Sequence, residues 1–300
     1  MSQTIGFLGL GKMGQPMCEQ LLKAGFQTFV VDPSDEAAGR LERQGAVRLR
    51  TPKALADHAA IAVMMLPTPE IVEETVLGVD GLVHGARLVC AIDMGTSGSA
   101  LAVRIGEVLH RNGKRFVDAP VTGAIKGAQT GTLTIMASGM PEDIDFASTA
   151  LAALGKMHRV GSQPGMGQTM KLINNLASAA NMAVTTEVMV LGRKAGLDCQ
   201  QMLDIMNAGS GRNSASEDKF PDAIMPRTFN FGFPMDLQIK DLKLCMDEAL
   251  RLRVPMHVGS SVFQLWFHWL TQGSDKRDFT TIVEMIETWS GVKIESSAQK

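Results

Sequence analysis

The chain has 300 residues, enough for two domains that each bury a hydrophobic core. Its 29 basic and 31 acidic residues nearly balance, so the charge does not indicate a nucleic acid or an acidic membrane as partner. No apolar stretch reaches the roughly 18 residues that span a bilayer, and the N-terminus runs into a strand pattern without signal-peptide features. We therefore expect a soluble, cytoplasmic protein.

The cysteines and histidines do not form a metal-binding pattern. Cys18, Cys90, Cys199 and Cys245 are scattered, with no paired spacing and no histidine at ligand spacing. This pattern is typical of reduced thiols in the cytoplasm, and we assign no metal site.

A glycine turn joins the first predicted strand to the first predicted helix. Residues 4–8 are an apolar run of strand length, and residues 13–24 carry apolar side chains at helical spacing. Between and at the start of these segments lie Gly9, Leu10, Gly11, Lys12, Met13 and Gly14. We expect Gly9 to allow the tight turn, Gly11 to admit a pyrophosphate, and Gly14 to let the helix pack on the strand. The turn predicts a dinucleotide site at the helix N-terminus.

An acidic residue follows the second predicted strand, which covers residues 27–31. Asp32 lies 18 positions beyond Gly14, where a carboxylate accepts hydrogen bonds from the adenosine ribose and repels a 2′-phosphate. Pro33 and Ser34 come next, so an arginine that would hold such a phosphate is missing there. The pattern favours NAD over NADP as cofactor.

Strands and helices alternate through residue 160. Beyond the first two strands, the pattern predicts strands at 61–66, 87–92 and 116–119, late edge strands at 132–138 and 156–160, and helices at 35–44, 97–111 and 141–154. This alternation predicts a parallel, doubly wound sheet. The strand ends at Leu66, Pro67 and residues 93–96 are then expected at the same crevice as the glycine turn, whereas residues 127–131 are expected to be a flexible run.

The pattern changes near residue 164. A helix of about 28 residues, or about 40 Å, is predicted from about 167 to 194, and further helices at 200–207, 235–253, 257–271 and 279–289. We expect a Rossmann-type doubly wound domain at 1–163 and an all-α substrate and oligomerisation domain at 164–300, with the long helix between them. Because that helix has so little charge, we expect it to be buried on most sides and to contribute to a homodimer or homotetramer.

Lys171 is the leading catalytic candidate, because it is the only charged residue between Gln168 and Thr186. A buried ammonium must be paired, neutralised or used, although a lysine near a helix start can also extend its side chain to solvent. Asn175 lies one helical turn further on, on the same face. A lysine beside a nicotinamide can exchange a proton with the substrate oxygen.

A second candidate segment is 118–123, which follows a predicted strand. The Thr122 hydroxyl and the backbone N–H groups around Gly123 can bind a carboxylate, although the same residues also suit an ordinary β-turn. Lys240 and Asp241 fall within a predicted helix, where by themselves they indicate a solvated face.

Four blocks of the sequence resemble the β-hydroxyacid dehydrogenases, typified by 3-hydroxyisobutyrate dehydrogenase and tartronate semialdehyde reductase. The blocks are residues 6–17, 118–123, 165–175 and 240–242, and the resemblance covers essentially the whole chain. It implies an NAD-dependent enzyme that acts on a small carboxylate substrate, either a 3-hydroxy acid or its semialdehyde.

The resemblance also implies roles for individual residues. Lys171 is implied as general acid/base and Asn175 as substrate-positioning; the substrate carboxylate is assigned to Thr122, Gly123 and Ala124; and cofactor contacts are assigned to Leu66, Pro67, Thr96 and Lys240. This sequence departs from the family pattern at Thr122 and Ala124, where Ser and Gly are usual, and at Ile71, where Asn is often found. The alternatives are a non-catalytic NAD-binding module, a phosphogluconate-type decarboxylating dehydrogenase and an imine reductase.

Overall fold

The computed structural model describes residues 4–295. The chain divides into two compact units, Met1–Leu172 and Ile173–Lys300, and the boundary falls inside one long helix. Each unit has its own hydrophobic core.

The first unit alternates strands with helices. Its strands are β1 (Thr4–Leu8), β2 (Gln27–Val31), β3 (Val47–Arg48), β4 (Ile61–Met64), β5 (Cys90–Asp93), β6 (Arg115–Asp118), β7 (Val121–Thr122), β8 (Leu133–Ser138) and β9 (Gly155–Gly161). Its helices are α1 (Gly14–Lys23), α2 (Asp35–Glu42), α3 (Pro52–Ala56), α4 (Pro69–Leu77), α5 (Ser99–Arg111), α6 (Ala124–Thr130) and α7 (Pro141–Ala152), followed by the start of α8 (Met166–Lys194). A short 3₁₀ segment occupies Leu82–His84.

The strands form one sheet in the order β3-β2-β1-β4-β5-β6-β8-β7, with β9 paired to β8. β1 to β6 run parallel, which confirms the predicted doubly wound sheet. The chain leaves β1 toward β2 on one side and returns to β4 on the other. The gap beyond the carboxyl ends of β1 and β4 is therefore the switch point at which such sheets bind ligands.

Successive side chains of the buried strands point to opposite faces of the sheet and pack into two hydrophobic cores, one on each face. In β4, Ile61 and Val63 pack into one core, and Ala62 and Met64 pack into the other. Both faces of the strand are covered by helices, which explains why its sequence is a continuous apolar run rather than an alternation of apolar and polar residues.

Several local predictions differ from the structure. The strand at 132–138 was expected at an edge, but β8 lies inside the sheet, antiparallel to β6 and β7 and parallel to β9. Residues 127–131, expected to be flexible, mostly belong to helix α6, because Gly127 N–H bonds to Gly123 O and starts a helical turn. Helices α3 and α4 were not predicted, although Thr51 and Thr68 cap them and Pro52 and Pro69 occupy their first turns.

The second unit is helical. Besides most of α8 it contains α9 (Cys199–Ala208), α10 (Met235–Arg251), α11 (His257–Trp269) and α12 (Ile282–Ser290), with π-helical segments at Ala215–Ile224 and Leu270–Ser274 and a 3₁₀ segment at Phe279–Thr281. Its core surrounds Trp266, which is fully buried and donates from Nε1 to Ala179 O over 3.3 Å. An isolated antiparallel bridge joins Pro234 to Asp278.

Helix α8 has 29 residues, close to the predicted length of about 28, and carries exposed apolar side chains on part of its surface. Val184 and Leu191 are exposed on it, the latter by 69%, and so is Ile173 nearer its start. Most positions of α8 are buried or half-buried within this chain, and the subunit contact expected at the remaining exposed apolar positions stays a prediction. Among the helices of residues 4–295, none, α8 included, combines the length and apolar character needed to cross a bilayer.

Candidate active site

Two positions of the glycine turn between β1 and α1 have no room for any residue other than glycine. Gly9 has φ +90, and a Cβ there would lie 2.4 Å from Met65 O; a Cβ on Gly14 would lie 1.8 Å from Gly9 O. Gly11 differs, because it is exposed and has open space where a Cβ would point. Met13, at the N-cap of α1, makes no side-chain hydrogen bond to the helix. The turn thus suits a phosphate at an open, positively polarised helix end.

Asp32, at the end of β2, holds the glycine turn in place. One carboxylate oxygen accepts from Leu10 N–H over 2.6 Å, and the other accepts from Ser34 N–H over 2.7 Å. Each oxygen of a carboxylate can accept a second hydrogen bond, so Asp32 can also accept ribose hydroxyls. A cleft of about 400 Å³ adjoins it, with Gly11, Lys12, Ser34, Glu36 and Arg40 among its lining residues.

The other predicted cofactor contacts of the first unit follow β4 and β5. Leu66 and Thr96 are half-buried and Pro67 is exposed. The two loops touch, since a Cβ on Gly95 would lie 2.8 Å from Leu66 O. The ends of β1, β4 and β5 therefore lie side by side, as the parallel topology requires.

The predicted carboxylate-binding residues lie where β7 passes into α6. Thr122 is half-buried and pairs with Thr134 of β8, while Gly123 and Ala124 are exposed. Gly123 has φ +123, a conformation that side chains rarely adopt, and Ala124 has φ +52. This is a strained turn rather than a plain β-turn, and both residues are exposed.

A buried polar cluster holds the start of α8 against the ends of β5, β6 and β8; we call Asp93, Ser97, Asp118, Ser138 and Gln168 the Gln168 cluster. Each of these side chains is at most 2% exposed. Sequence reasoning missed this cluster, although the 118–123 and 165–175 blocks contain two of its members.

Asp118 and Ser138 satisfy the free N–H groups at the start of α8. Asp118 accepts from Gly165 N–H at 2.8 Å and from Gln168 N–H at 2.9 Å, and it also accepts from the Ser138 hydroxyl at 2.7 Å. Ser138 in turn accepts from Gly167 N–H at 2.7 Å. Burial raises the pKa of Asp118 to about 6, against the lowering effect of these hydrogen bonds and with a smaller raising contribution from Asp93.

Lys171 lies one turn into α8, half-buried, three residues after Gln168. At this spacing the two side chains occupy neighbouring positions on the same side of the helix. The first unit therefore contains the glycine turn, Asp32, the strand-end loops, the Thr122 turn and the predicted proton donor.

Asn175 and Lys240 belong to the second unit, where Asp241 connects them. Asn175 donates from Nδ2 to Asp241 Oδ2 over 2.6 Å, and the Lys240 ammonium lies 3.0 Å from Asp241 Oδ1. Asp241 is 2% exposed. The sequence suggested a solvated face for Lys240 and Asp241 taken alone; the structure shows a buried carboxylate instead, and the 240–242 block was the signal for it.

The four cysteines are free and buried, and burial raises the pKa of each thiol, that of Cys18 to about 12. Across residues 4–295, no group of three or more His, Cys, Asp or Glu side chains is arranged to hold a metal ion.

Comparison with known proteins matches both parts of the chain. Residues 4–163 match the family described as the NAD binding domain of 6-phosphogluconate dehydrogenase. Residues 165–286 match the family described as the NAD-binding domain of NADP-dependent 3-hydroxyisobutyrate dehydrogenase.

Similar proteins cover nearly the whole chain. 2-(Hydroxymethyl)glutarate dehydrogenase of Eubacterium barkeri is 33% identical, over 98% of each chain. 3-Sulfolactaldehyde reductase of Escherichia coli K12 is 31% identical, over 96% of this chain and 97% of its own. The structure of Mycobacterium tuberculosis 3-hydroxyisobutyrate dehydrogenase with L-serine is similar at a TM-score of 0.86, with 29% identity, over 95% of this chain and 99% of that one.

Proposed function

The chain belongs to the β-hydroxyacid dehydrogenase family of nicotinamide-dependent oxidoreductases, and we propose that it interconverts a small 3-hydroxy acid and its semialdehyde, with NAD(H) as cofactor and Lys171 as general acid/base. One observation carries this proposal. Four features lie at the carboxyl ends of the parallel strands of one sheet: the glycine turn, Asp32, the loops after β4 and β5, and the start of α8.

The preference for NAD rests on Asp32. Its carboxylate stands next to the cleft that Ser34 lines, so a 2′-phosphate bound there would meet the negative charge of Asp32. Arg40 also lines this cleft but is paired with Glu36. Ribose hydroxyls, by contrast, are donors that Asp32 can accept.

The chemistry assigns one task to each part of the site. A bound nicotinamide would supply the hydride for reduction and accept it in oxidation. Lys171, protonated, donates its proton to the substrate oxygen during reduction and takes it back during oxidation. Thr122 and the N–H groups near Gly123 bind the substrate carboxylate, beside Ala124, whose methyl group narrows the pocket. Asn175 orients the substrate, and Lys240 contacts the cofactor.

The substrate class follows from the family and from the similar proteins. 2-(Hydroxymethyl)glutarate, 3-sulfolactaldehyde and L-serine each combine an acid group with a hydroxymethyl or aldehyde carbon. A turn rich in N–H donors with an adjacent hydroxyl suits such an acid group. We propose a substrate with the same two features.

A substrate panel tests this proposal directly. Purified protein is assayed with small 3-hydroxy acids and NAD, and with semialdehydes and NADH, by following absorbance at the NADH band. We expect turnover on at least one member that carries both an acid group and a three-position alcohol or aldehyde. Turnover only on phosphorylated sugar acids with release of CO₂ would instead support the phosphogluconate-type alternative, and cofactor binding without turnover would support a non-catalytic module.

We further propose three properties of the whole protein. The chain divides at 163/164 into an NAD-binding Rossmann-type part, 1–163, and an all-α part for substrate binding and assembly, 164–300. Residues 122–124 of the first part also contact the substrate, and Lys240 of the second part also contacts the cofactor.

The protein is a homodimer or homotetramer, because α8 exposes apolar surface at Ile173, Val184 and Leu191. Its location is cytoplasmic, in keeping with cysteines that are scattered in the sequence and form no disulfide.

A further inference from the structure

All hydrogen bonds of the Gln168 side-chain amide go to one loop, residues 93–98. Its Oε1 accepts from Ser97 N–H at 3.0 Å and from Gly98 N–H at 3.2 Å. Its Nε2 donates to Gly95 O at 3.1 Å and lies 3.4 Å from Asp93 Oδ2. A primary amide has two donors and two acceptor lone pairs, so these four contacts fill its capacity. The side chain is fully buried.

The loop that Gln168 holds covers residues 93–98 and carries Thr96, a predicted cofactor contact. Asp93 stabilises the same loop, accepting from Gly95 N–H at 3.0 Å and from the Ser97 hydroxyl at 2.5 Å. Gly95 also packs on Leu66 O, which belongs to the next cofactor loop. The position of Thr96 therefore depends on the Gln168 amide.

Gln168 thus links two parts of the site: its side chain holds the 93–98 loop, and its main chain belongs to the start of α8. The main chain of Gln168 is fixed by Asp118, and no side chain fits at Gly167, where a Cβ would lie 2.4 Å from Met136 O and 2.8 Å from an Asp118 oxygen. The first turn of α8 is thus held against the sheet by hydrogen bonds and close packing, and Lys171 belongs to the turn that follows.

We propose that Gln168 is a positioning residue that holds the 93–98 loop and the Lys171-bearing start of α8 in one geometry, so that cofactor and proton donor are placed together. This inference rests on the proposed function. It goes beyond it by assigning a role to a side chain that lies under the site. Proton transfer and hydride transfer both depend on sub-ångström placement, so a loosened link lowers turnover even when every reacting group is still present.

Two substitutions break the link in different ways. Gln168→Glu keeps the shape, removes both donors and places a second carboxylate against Asp93. Gln168→Met keeps the volume and the apolar stem but leaves the N–H groups of Ser97 and Gly98 without their acceptor. If Gln168→Glu does not fold, Gln168→Met alone is used for the measurements.

Asp143→Asn is the matched control for lost stability. Asp143 is also a buried carboxylate of the first unit, but its partners are His110, in the last turn of α5, and Arg115, at the start of β6. Asp118 lies at the other end of that strand. This variant disturbs a buried polar cluster without touching the 93–98 loop or α8.

The experiment measures three quantities for the wild type, both Gln168 variants, Asp143→Asn and Lys171→Ala: the melting temperature, the NADH Kd by calorimetry, and kcat with KM for an active substrate. For the Gln168 variants we expect a roughly tenfold weaker NADH Kd and a kcat lowered roughly 10- to 100-fold. For Asp143→Asn we expect a lower melting temperature, with Kd and kcat within about twofold of the wild type.

The outcomes separate this inference from the function it rests on. Gln168 variants that lose stability but match Asp143→Asn in NADH Kd or in kcat would overturn the positioning role. If Lys171→Ala retains turnover, the assigned general acid/base is wrong and the coupling proposed for Gln168 fails with it. If Lys171→Ala loses turnover while Gln168→Met does not, only the inference about Gln168 fails.

Discussion

Asn175 donates a hydrogen bond to Asp241 over 2.6 Å, although 66 positions separate them in the chain. Asp241 also has the Lys240 ammonium 3.0 Å from its other oxygen. A single buried carboxylate thus orients the amide proposed to position substrate and the cation proposed to contact the cofactor. Its removal should affect both.

Replacing Asp241 by asparagine is therefore expected to raise KM and lower kcat, with kcat/KM reduced roughly 10- to 100-fold, because a buried charge-assisted hydrogen bond and the ammonium's counterion are lost together. Asn175→Ala should act in the same direction, and the double variant should be little worse than the worse single one, as for residues that act as a unit. Asp247→Asn, an exposed carboxylate paired with Lys243 on the same helix, is the control. Additive effects of the two substitutions would show that they act independently.

Lys171→Ala is expected to keep the fold and NADH binding and to lower kcat roughly 10²- to 10⁴-fold, the usual contribution of a general acid/base. Oxidation needs neutral lysine and should accelerate through the alkaline range, whereas reduction needs the ammonium and should slow there. The measurement is the initial rate of oxidation and of reduction across this pH range. The control is Lys53→Ala, which removes a lysine of α3 that is paired with Asp57. A turnover number within a few-fold of the wild type would remove Lys171 from the mechanism.

The cofactor prediction concerns Asp32. The wild type should have a higher kcat/KM with NAD(H) than with NADP(H), by roughly tenfold or more, since a 2′-phosphate would approach the carboxylate. Asp32→Asn, most clearly with Pro33→Arg, should shift the preference toward NADP(H). It should also weaken binding of both cofactors. Leu10 N–H and Ser34 N–H donate to different oxygens of Asp32, so the NH₂ group of an asparagine would replace the acceptor of one of them. Equal or better use of NADPH by the wild type would contradict the assignment.

Asp118 should make the stability pH-dependent in an unusual direction. Its folded-state pKa, about 6, lies above the ordinary value of 3.8, so the folded protein binds this proton more tightly than the unfolded chain. The contribution of Asp118 to stability is fully present below pH 4 and is lost as the pH rises through 6. Relative to Asp118→Asn, the wild type should lose about 2 kcal/mol of unfolding free energy between pH 4 and pH 7. Denaturant titrations of both proteins across this range measure the difference, and a constant offset would refute the raised pKa.

The assembly prediction concerns the exposed face of α8. Light scattering at micromolar concentration should give the mass of a dimer or tetramer, and Leu191→Lys should shift it toward monomer, because a charge cannot be buried cheaply in an apolar contact. Val79→Lys, at an exposed valine of the first unit, should leave the mass unchanged. A monomeric wild type would mean that this face has another role.

The sequence by itself determined those features that depend on neighbouring residues. The glycine turn and Asp32 were predictable because turn geometry and strand ends follow from local steric rules. Helix α8 was predictable because its spacing and lack of Pro indicate about 28 helical residues, and the structure has 29. Lys171 was singled out because it is an isolated charge in an apolar run. Segments with mixed signals were harder: the π-helical segment Ala215–Ile224 contains Pro221, which reads as a helix breaker.

The tertiary structure alone decided which polar groups are buried together. Gln168 contacts a loop about 70 positions away, Asn175 contacts Asp241, and β8 lies inside the sheet because β9 covers its second edge. None of these pairings leaves a periodic trace in the sequence, since a buried hydrogen bond constrains two distant residues and not the residues between them. Burial then changes their chemistry: the same carboxyl that would be ionised in solution at pH 5 is held by low-dielectric surroundings at a pKa of about 6 in Asp118.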